Sequence, residues 1–217
     1  MERTMVRRLS AWILCLFIVL GGLPLFSGCS SAPPLEDMVD RVIELIEHSY
    51  EVNVFLFGEG LPVYARGSEL AEARYVYQNE TDATYATYDA VMPVAGFHTI
   101  DEMKIRAQNV YCLRYLAALY ETAFEGLVYE WGGDSQMVAP ARYSERNGEL
   151  QQQTDHQPLV TGRRIYDYAT MTYVGRQNAT QVRIRMDTYK AGDQNVLPVT
   201  LTLVYEDGDW YLNSPTY

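Results

Sequence analysis

Strict alternation in the last third of the chain limits the folds open to it more than any other feature. Val182, Ile184 and Met186 alternate with Arg183, Arg185 and Asp187, the period of a strand with one face in a core and the other in water. Asp207-Gly208 then separates two more strand-like runs, residues 196–206 and 209–213. Aspartate followed by glycine makes a two-residue hairpin loop, because both positions tolerate positive φ. That loop sets a register in which Tyr205 faces Trp210 and Leu203 faces Leu212, both on the face of Val199 and Leu201. Strands at 164–174 and 180–190, joined through 175–178 and continued through 191–194, complete an expected antiparallel meander.

The first half has a helical period. Leu35, Met38, Val39, Val42, Ile43, Ile46 and Tyr50 fall on one stripe, with Glu36 and Asp37 in the first turn, where a helix dipole favours anions. The pattern predicts an amphipathic helix that runs through Phe57 and stops at Gly58-Glu59-Gly60-Leu61-Pro62. Residues 75–77 and 85–92 read as short strands around a polar turn at 79–82. Thr99-Ile100-Asp101-Glu102 has capping-box spacing, and the apolar stripes after it predict one bent helix or two up to Gly126. After a loop at 131–134, Asn147-Gly148 marks a hairpin between 137–146 and 149–153. Together these predict an α+β fold, with amphipathic helices packed on one face of a curved C-terminal antiparallel sheet. A cone of the NTF2-like or cystatin-like kind is the nearest analogy, and it carries no function by itself.

The N-terminal segment addresses the protein. Arg3, Arg7 and Arg8 precede the apolar run from Ala11 to Leu20, the n-region and h-region of a secretory signal too short to span a bilayer comfortably. Phe26-Ser27-Gly28-Cys29 resembles the bacterial lipobox, in which the cysteine becomes lipidated and, after cleavage, N-terminal. The expected organisation is a lipoprotein signal peptide at 1–28, the lipidated Cys29 with a short linker to residue 34, and one extracytoplasmic domain at 35–217. The expected location is the outer side of the cell membrane, with the membrane itself a partner through the lipid on Cys29. Two or more acyl chains hold far more firmly than one, at about 0.8 kcal/mol per buried methylene.

Charge narrows the remaining partners. Without the leader, 14 basic side chains face 27 acidic ones, so a nucleic-acid partner is disfavoured for want of a basic footprint. The acids concentrate in residues 36–134, and residues 135–217 are near neutral. His48, His98, His156 and Cys112 share no metal-ligand spacing, and neither a nucleophile elbow nor a phosphate loop appears. The reading is therefore no catalytic set, no metal and no cofactor, with Cys112 a buried small hydrophobe in a helical stretch. Two features suit recognition instead. All 18 tyrosines lie beyond the leader, and tyrosine suits binding surfaces. Arg163, Arg164, Arg176, Arg183 and Arg185 gather in a span whose acid is Asp167. Arg183, Arg185, Tyr166 and Tyr168 are the candidate binding surface, suited to carboxylates of a wall peptide.

Tyr75-Val76-Tyr77, the helical region 99–126 and the closing Leu201-Thr202-Leu203-Val204-Tyr205-Glu206-Asp207-Gly208-Asp209-Trp210 resemble the secreted DL-endopeptidase inhibitors of the IseA type in Gram-positive bacteria. The resemblance implies a non-enzymatic protein that blocks a cell-wall hydrolase, here from a lipid tether, with the hydrolase or peptidoglycan as partner. The acidic half would suit the positive flank of a hydrolase cleft. The alternative is a small-molecule or enzymatic pocket inside a cone-shaped sheet, recognisable as a deep cavity with convergent polar groups.

Overall fold

The apolar stripe that begins at Leu35 forms helix α1, Leu35–Leu56, in a computed structural model that describes residues 31–64, 73–78, 83–130, 136–192 and 195–217. The leader, Cys29 and the loops expected at 79–82 and 131–134 lie outside the described residues. Residues Ala32–Tyr217 form one compact unit. α1 has Pro34 at its N-cap and no side-chain cap there, so Glu36 and Asp37 supply the stabilising negative charge of its first turn. Met38, Val42, Leu45, Ile46, Val52 and Phe55 make its buried face. At the other end the orphan carbonyls find side chains from a distant strand: Tyr143 OH donates to Phe55 O at 3.0 Å and Arg142 Nη2 to Gly58 O at 2.6 Å.

The meander forms as expected. Strands β7 (Arg164–Tyr173), β8 (Gln181–Lys190), β9 (Leu197–Glu206) and β10 (Asp209–Leu212) pair in the order β10-β9-β8-β7. Tyr205 pairs with Trp210 and Leu203 with Leu212. Asp207 at φ 50° and Gly208 at φ 92° turn the hairpin, which is why the loop needs those two residue types. α1 lies on the inner face of this open sheet. Val182, Ile184, Met186, Leu201 and Leu203 are completely buried there, each stabilising the fold by about 1.5–3 kcal/mol.

The middle of the chain builds a second sheet. β1 (Ala73–Gln78), β2 (Ala83–Ala90), β5 (Tyr143–Arg146) and β6 (Glu149–Gln153) pair in the order β1-β2-β6-β5, with Asn147-Gly148 turning the β5–β6 hairpin. The expected strand over 137–146 is divided. Its first part is β4 (Gln136–Ala139), which forms a separate hairpin with β3 (Leu127–Glu130). Pro140 follows β4, and a proline has no N–H to give a ladder.

The helical region 99–126 is two helices and a wide turn. The capping box forms at Thr99 and Glu102 and opens α2, Ile100–Gln108. Helix α3, Leu113–Tyr120, leads into a π-type turn at Glu121–Glu125. The break has a specific cause: Leu212 N donates to Val110 O at 2.9 Å and Cys112 N to Leu212 O at 3.0 Å. Residues 110–112 thus stitch onto β10 instead of continuing the helix. Cys112 is buried as expected, but it caps α3 rather than lying within a helix, and its Sγ–H donates to Asn213 Oδ1 at 3.3 Å.

Candidate functional site

The four residues expected to form one binding surface occupy two faces of the meander. Arg183 and Arg185 project from β8 into solvent, as the alternation requires. Arg185 sits between Thr172 of β7 and Thr200 of β9, and Arg183 beside Thr202. Neither guanidinium has an ion-pair partner among the described residues. The result is a strand surface on which threonines surround two arginines, with Asp187 and its partner Asp167 on the same face.

Tyr166 and Tyr168 are a correction to that grouping. Both turn to the opposite, helix-covered face: Tyr166 is buried and donates to Thr216 O at 3.0 Å, while Tyr168 is half-buried and donates to Glu47 Oε1 at 2.7 Å. Burial raises the pKa of both phenols, with Glu47 adding to the effect at Tyr168. Several other tyrosines are used in the same way. Tyr88 OH donates to Ala141 O, Tyr50 OH to Arg164 O and Tyr173 OH to Pro33 O. A phenol fills core volume with its ring and satisfies a stray carbonyl with its tip, which accounts for much of the tyrosine content without a ligand.

The arginine cluster divides as well. Arg163 leaves the sheet surface, stacks over the Tyr50 ring at 3.7 Å from its centroid and pairs with Glu47 at 2.7 Å. The acids of α1 are correspondingly less free than composition implies. Arg41 pairs with Glu44 and Asp209, each at 2.9 Å, and Arg106 with Glu51 at 3.1 Å. These pairs are partly exposed and contribute little stability, but they lower the net field of the helical half.

A buried polar hub lies where α1, Tyr111 and the segment after β10 meet. Thr216 Oγ1 bonds Ser49 Oγ at 2.6 Å, accepts from Asn53 Nδ2 at 2.8 Å and lies 3.0 Å from Tyr111 OH, which itself donates to Asn53 Oδ1 at 2.9 Å. Desolvation pushes the Tyr111 phenol up to about 12. No sequence motif announces this hub, because its members come from three distant stretches. Beside it opens a cleft of about 270 Å³ between the last turns of α1 and the start of β7. Val54, Val160 and Tyr217 make apolar walls, Arg163 and Arg164 bring positive charge, and Glu59 is also in the lining. Arg164 is half-buried; its Nη1 donates to Thr188 Oγ1 at 2.9 Å, and its buried Nε has no acceptor.

A second buried cation stands behind the end of α1. Arg142 is only 2% exposed and is held by Gly58 O and by the Tyr143 ring, 5.6 Å from its centroid. Burial lowers its pKa; the Gly58 carbonyl takes one of its N–H groups, and Nε and Nη1 are buried without an acceptor. Nearby His156 is held down at about 4, by burial first and by Arg142 second. Among the described residues no three His, Cys, Asp or Glu side chains gather as a metal set, and no helix is long and apolar enough to cross a membrane. In sequence the chain matches no family model and no curated protein.

Proposed function

We propose that this chain is a non-enzymatic, lipid-anchored extracytoplasmic binding protein that restrains a cell-wall hydrolase of its own envelope. One observation carries the reading: the inner side of the meander, where a cone-type protein would keep its ligand cavity, is filled by α1. Met38, Val42, Leu45 and Ile46 meet Ile184, Met186, Leu201 and Leu203 there, all essentially without exposure. Recognition then falls to outer surfaces. The strand face bearing Arg183 and Arg185 is exposed and carries Asp167 and Asp187 beside the arginines, so it offers charges of both signs to a complementary protein surface. The resemblance of the 201–210 stretch and of Tyr75-Val76-Tyr77 to hydrolase inhibitors supports the choice of partner, and the lipobox-like Phe26-Ser27-Gly28-Cys29 supports a membrane tether through Cys29.

The test is a pull-down from detergent-solubilised envelope with the full chain as bait, followed by assay of wall hydrolysis. The expected result is recovery of a hydrolase whose activity falls when the protein is added. Recovery of neither a hydrolase nor peptidoglycan overturns the proposal. Metabolic labelling with palmitate checks the tether separately, because a Cys29→Ser variant should lose the label.

A further inference from the structure

We infer that the cleft between α1 and β7 is a binding site for a small carboxylate with an apolar body, of the size of an amino acid or the free C-terminal end of a peptide. The inference is independent of the hydrolase reading, since it concerns a different face of the molecule. Arg164 carries it. A half-buried guanidinium normally has a carboxylate beside it, because removing the charge from water is costly. Arg164 has no ion-pair partner among the described residues; Thr188 takes Nη1, and Nε–H is buried without an acceptor. A carboxylate entering the cleft would accept from Nη2, which has no partner among the described residues, whereas Nε lies buried behind it.

The rest of the cleft selects what accompanies that charge. Arg163 already shares its charge with Glu47 and lies flat on Tyr50, so it brings positive potential to the cleft without being its unneutralised cation. Val54 is 46% exposed although it is a valine on α1, and Tyr217 is 37% exposed with its ring against Phe57 at 4.5 Å. An aliphatic side chain placed between them removes apolar surface from water. About 270 Å³ admits such a group together with its carboxylate, and falls below the usual span for drug-sized ligands. Glu59, exposed and also in the lining, favours a ligand that carries an ammonium as well.

Saturation-transfer NMR on the detergent-solubilised full chain tests this with four probes: N-acetyl-leucine, its amide N-acetyl-leucinamide, free leucine and N-acetylglycine. Saturation should reach the methyl protons of N-acetyl-leucine or of leucine, and should be at least tenfold weaker for the amide and for N-acetylglycine. A stronger signal from leucine identifies a free amino acid as the ligand type, and weakening of that signal by Glu59→Gln confirms the ammonium contact. A stronger signal from N-acetyl-leucine identifies a peptide end. Arg164→Gln should reduce binding at least tenfold. Because Arg164 also holds Thr188, Val54→Glu serves as a second variant at an exposed position and should abolish the signal. Equal transfer to the amide, no transfer to either carboxylate, or binding that survives Val54→Glu overturns the assignment.

Discussion

Thr216→Val tests the buried hub most directly. The side chain is 1% exposed, and valine reproduces its shape while removing the hydroxyl. Ser49 Oγ already donates to Ile46 O at 2.7 Å, so the proton in the 2.6 Å contact between Ser49 and Thr216 comes from the threonine. The same oxygen accepts from Asn53 Nδ2, while Tyr111 keeps its bond to Asn53 Oδ1 whatever happens at 216. Valine therefore deletes two hydrogen bonds and strands one buried amide donor. At about 1 kcal/mol per bond, plus part of the desolvation cost of the orphaned donor, the loss is about 2–3 kcal/mol. For a unit of this size that corresponds to a Tm lower by roughly 5–10 °C. Thr216→Ser keeps the hydroxyl and loses one methyl, about 0.8 kcal/mol. Urea denaturation of residues 32–217, followed by far-UV circular dichroism, should rank wild type above serine and serine above valine. If packing rather than hydrogen bonding governs the site, the order of the two variants reverses; a valine variant within 0.5 kcal/mol of wild type, or above serine, refutes the hub.

Four further outcomes follow from the same geometry. Leu45→Ala should cost about 2–5 kcal/mol in the same denaturation assay, since it opens a void between α1 and the meander, and a loss below 1 kcal/mol would mean the two do not pack as described. Gly60→Ala should destabilise measurably, because Gly60 has φ 93° and a Cβ there would meet the Gln152 side chain that accepts from Leu61 N; an unchanged Tm would contradict that. His156 has a folded pKa near 4 against an ordinary 6.5, so folding favours its neutral form: its contribution is fully present above pH 6.5 and is lost as pH falls toward 4. Stability profiles of wild type and His156→Gln should therefore diverge in that window, the variant being flatter, and parallel profiles refute the assignment. Arg183→Glu with Arg185→Glu should leave the Tm within 1–2 °C and remove partner capture, because both side chains are exposed and have no ion pair among the described residues; undiminished capture places recognition elsewhere.

How much of this was readable beforehand depends on the range of the interactions involved. The β9–β10 register, the Thr99 capping box and the stop of α1 before Gly58 are local, set by turn chemistry and period within a few residues. The pairing of β2 with β6 is not local, and nothing near Tyr88 or Gln153 in sequence announces it. The break at residues 110–112 escaped for the same reason, since Leu212 causes it. Tyr166 and Tyr168 part from Arg183 and Arg185 by strand parity, which composition does not carry: the register of β7 to β8 puts Asp167 opposite Asp187, on the face of Arg185, so both tyrosines take the other face. The hub and the Arg164 cleft join α1, β7 and residue 216, and periodicity carries no information about such meetings.

The placement of α1 also bears on how the chain comes to be folded. Arg41, on α1, donates to the carbonyl of Trp210, 169 positions away, and the stripe from Met38 to Ile46 shares its core with residues of β8 to β10. Contacts across so long a span are slow to close and give no early foothold to an emerging polypeptide. Under the export proposed above, that delay would keep the polypeptide threadable while it passes a pore, because α1 completes its packing only with strands made later.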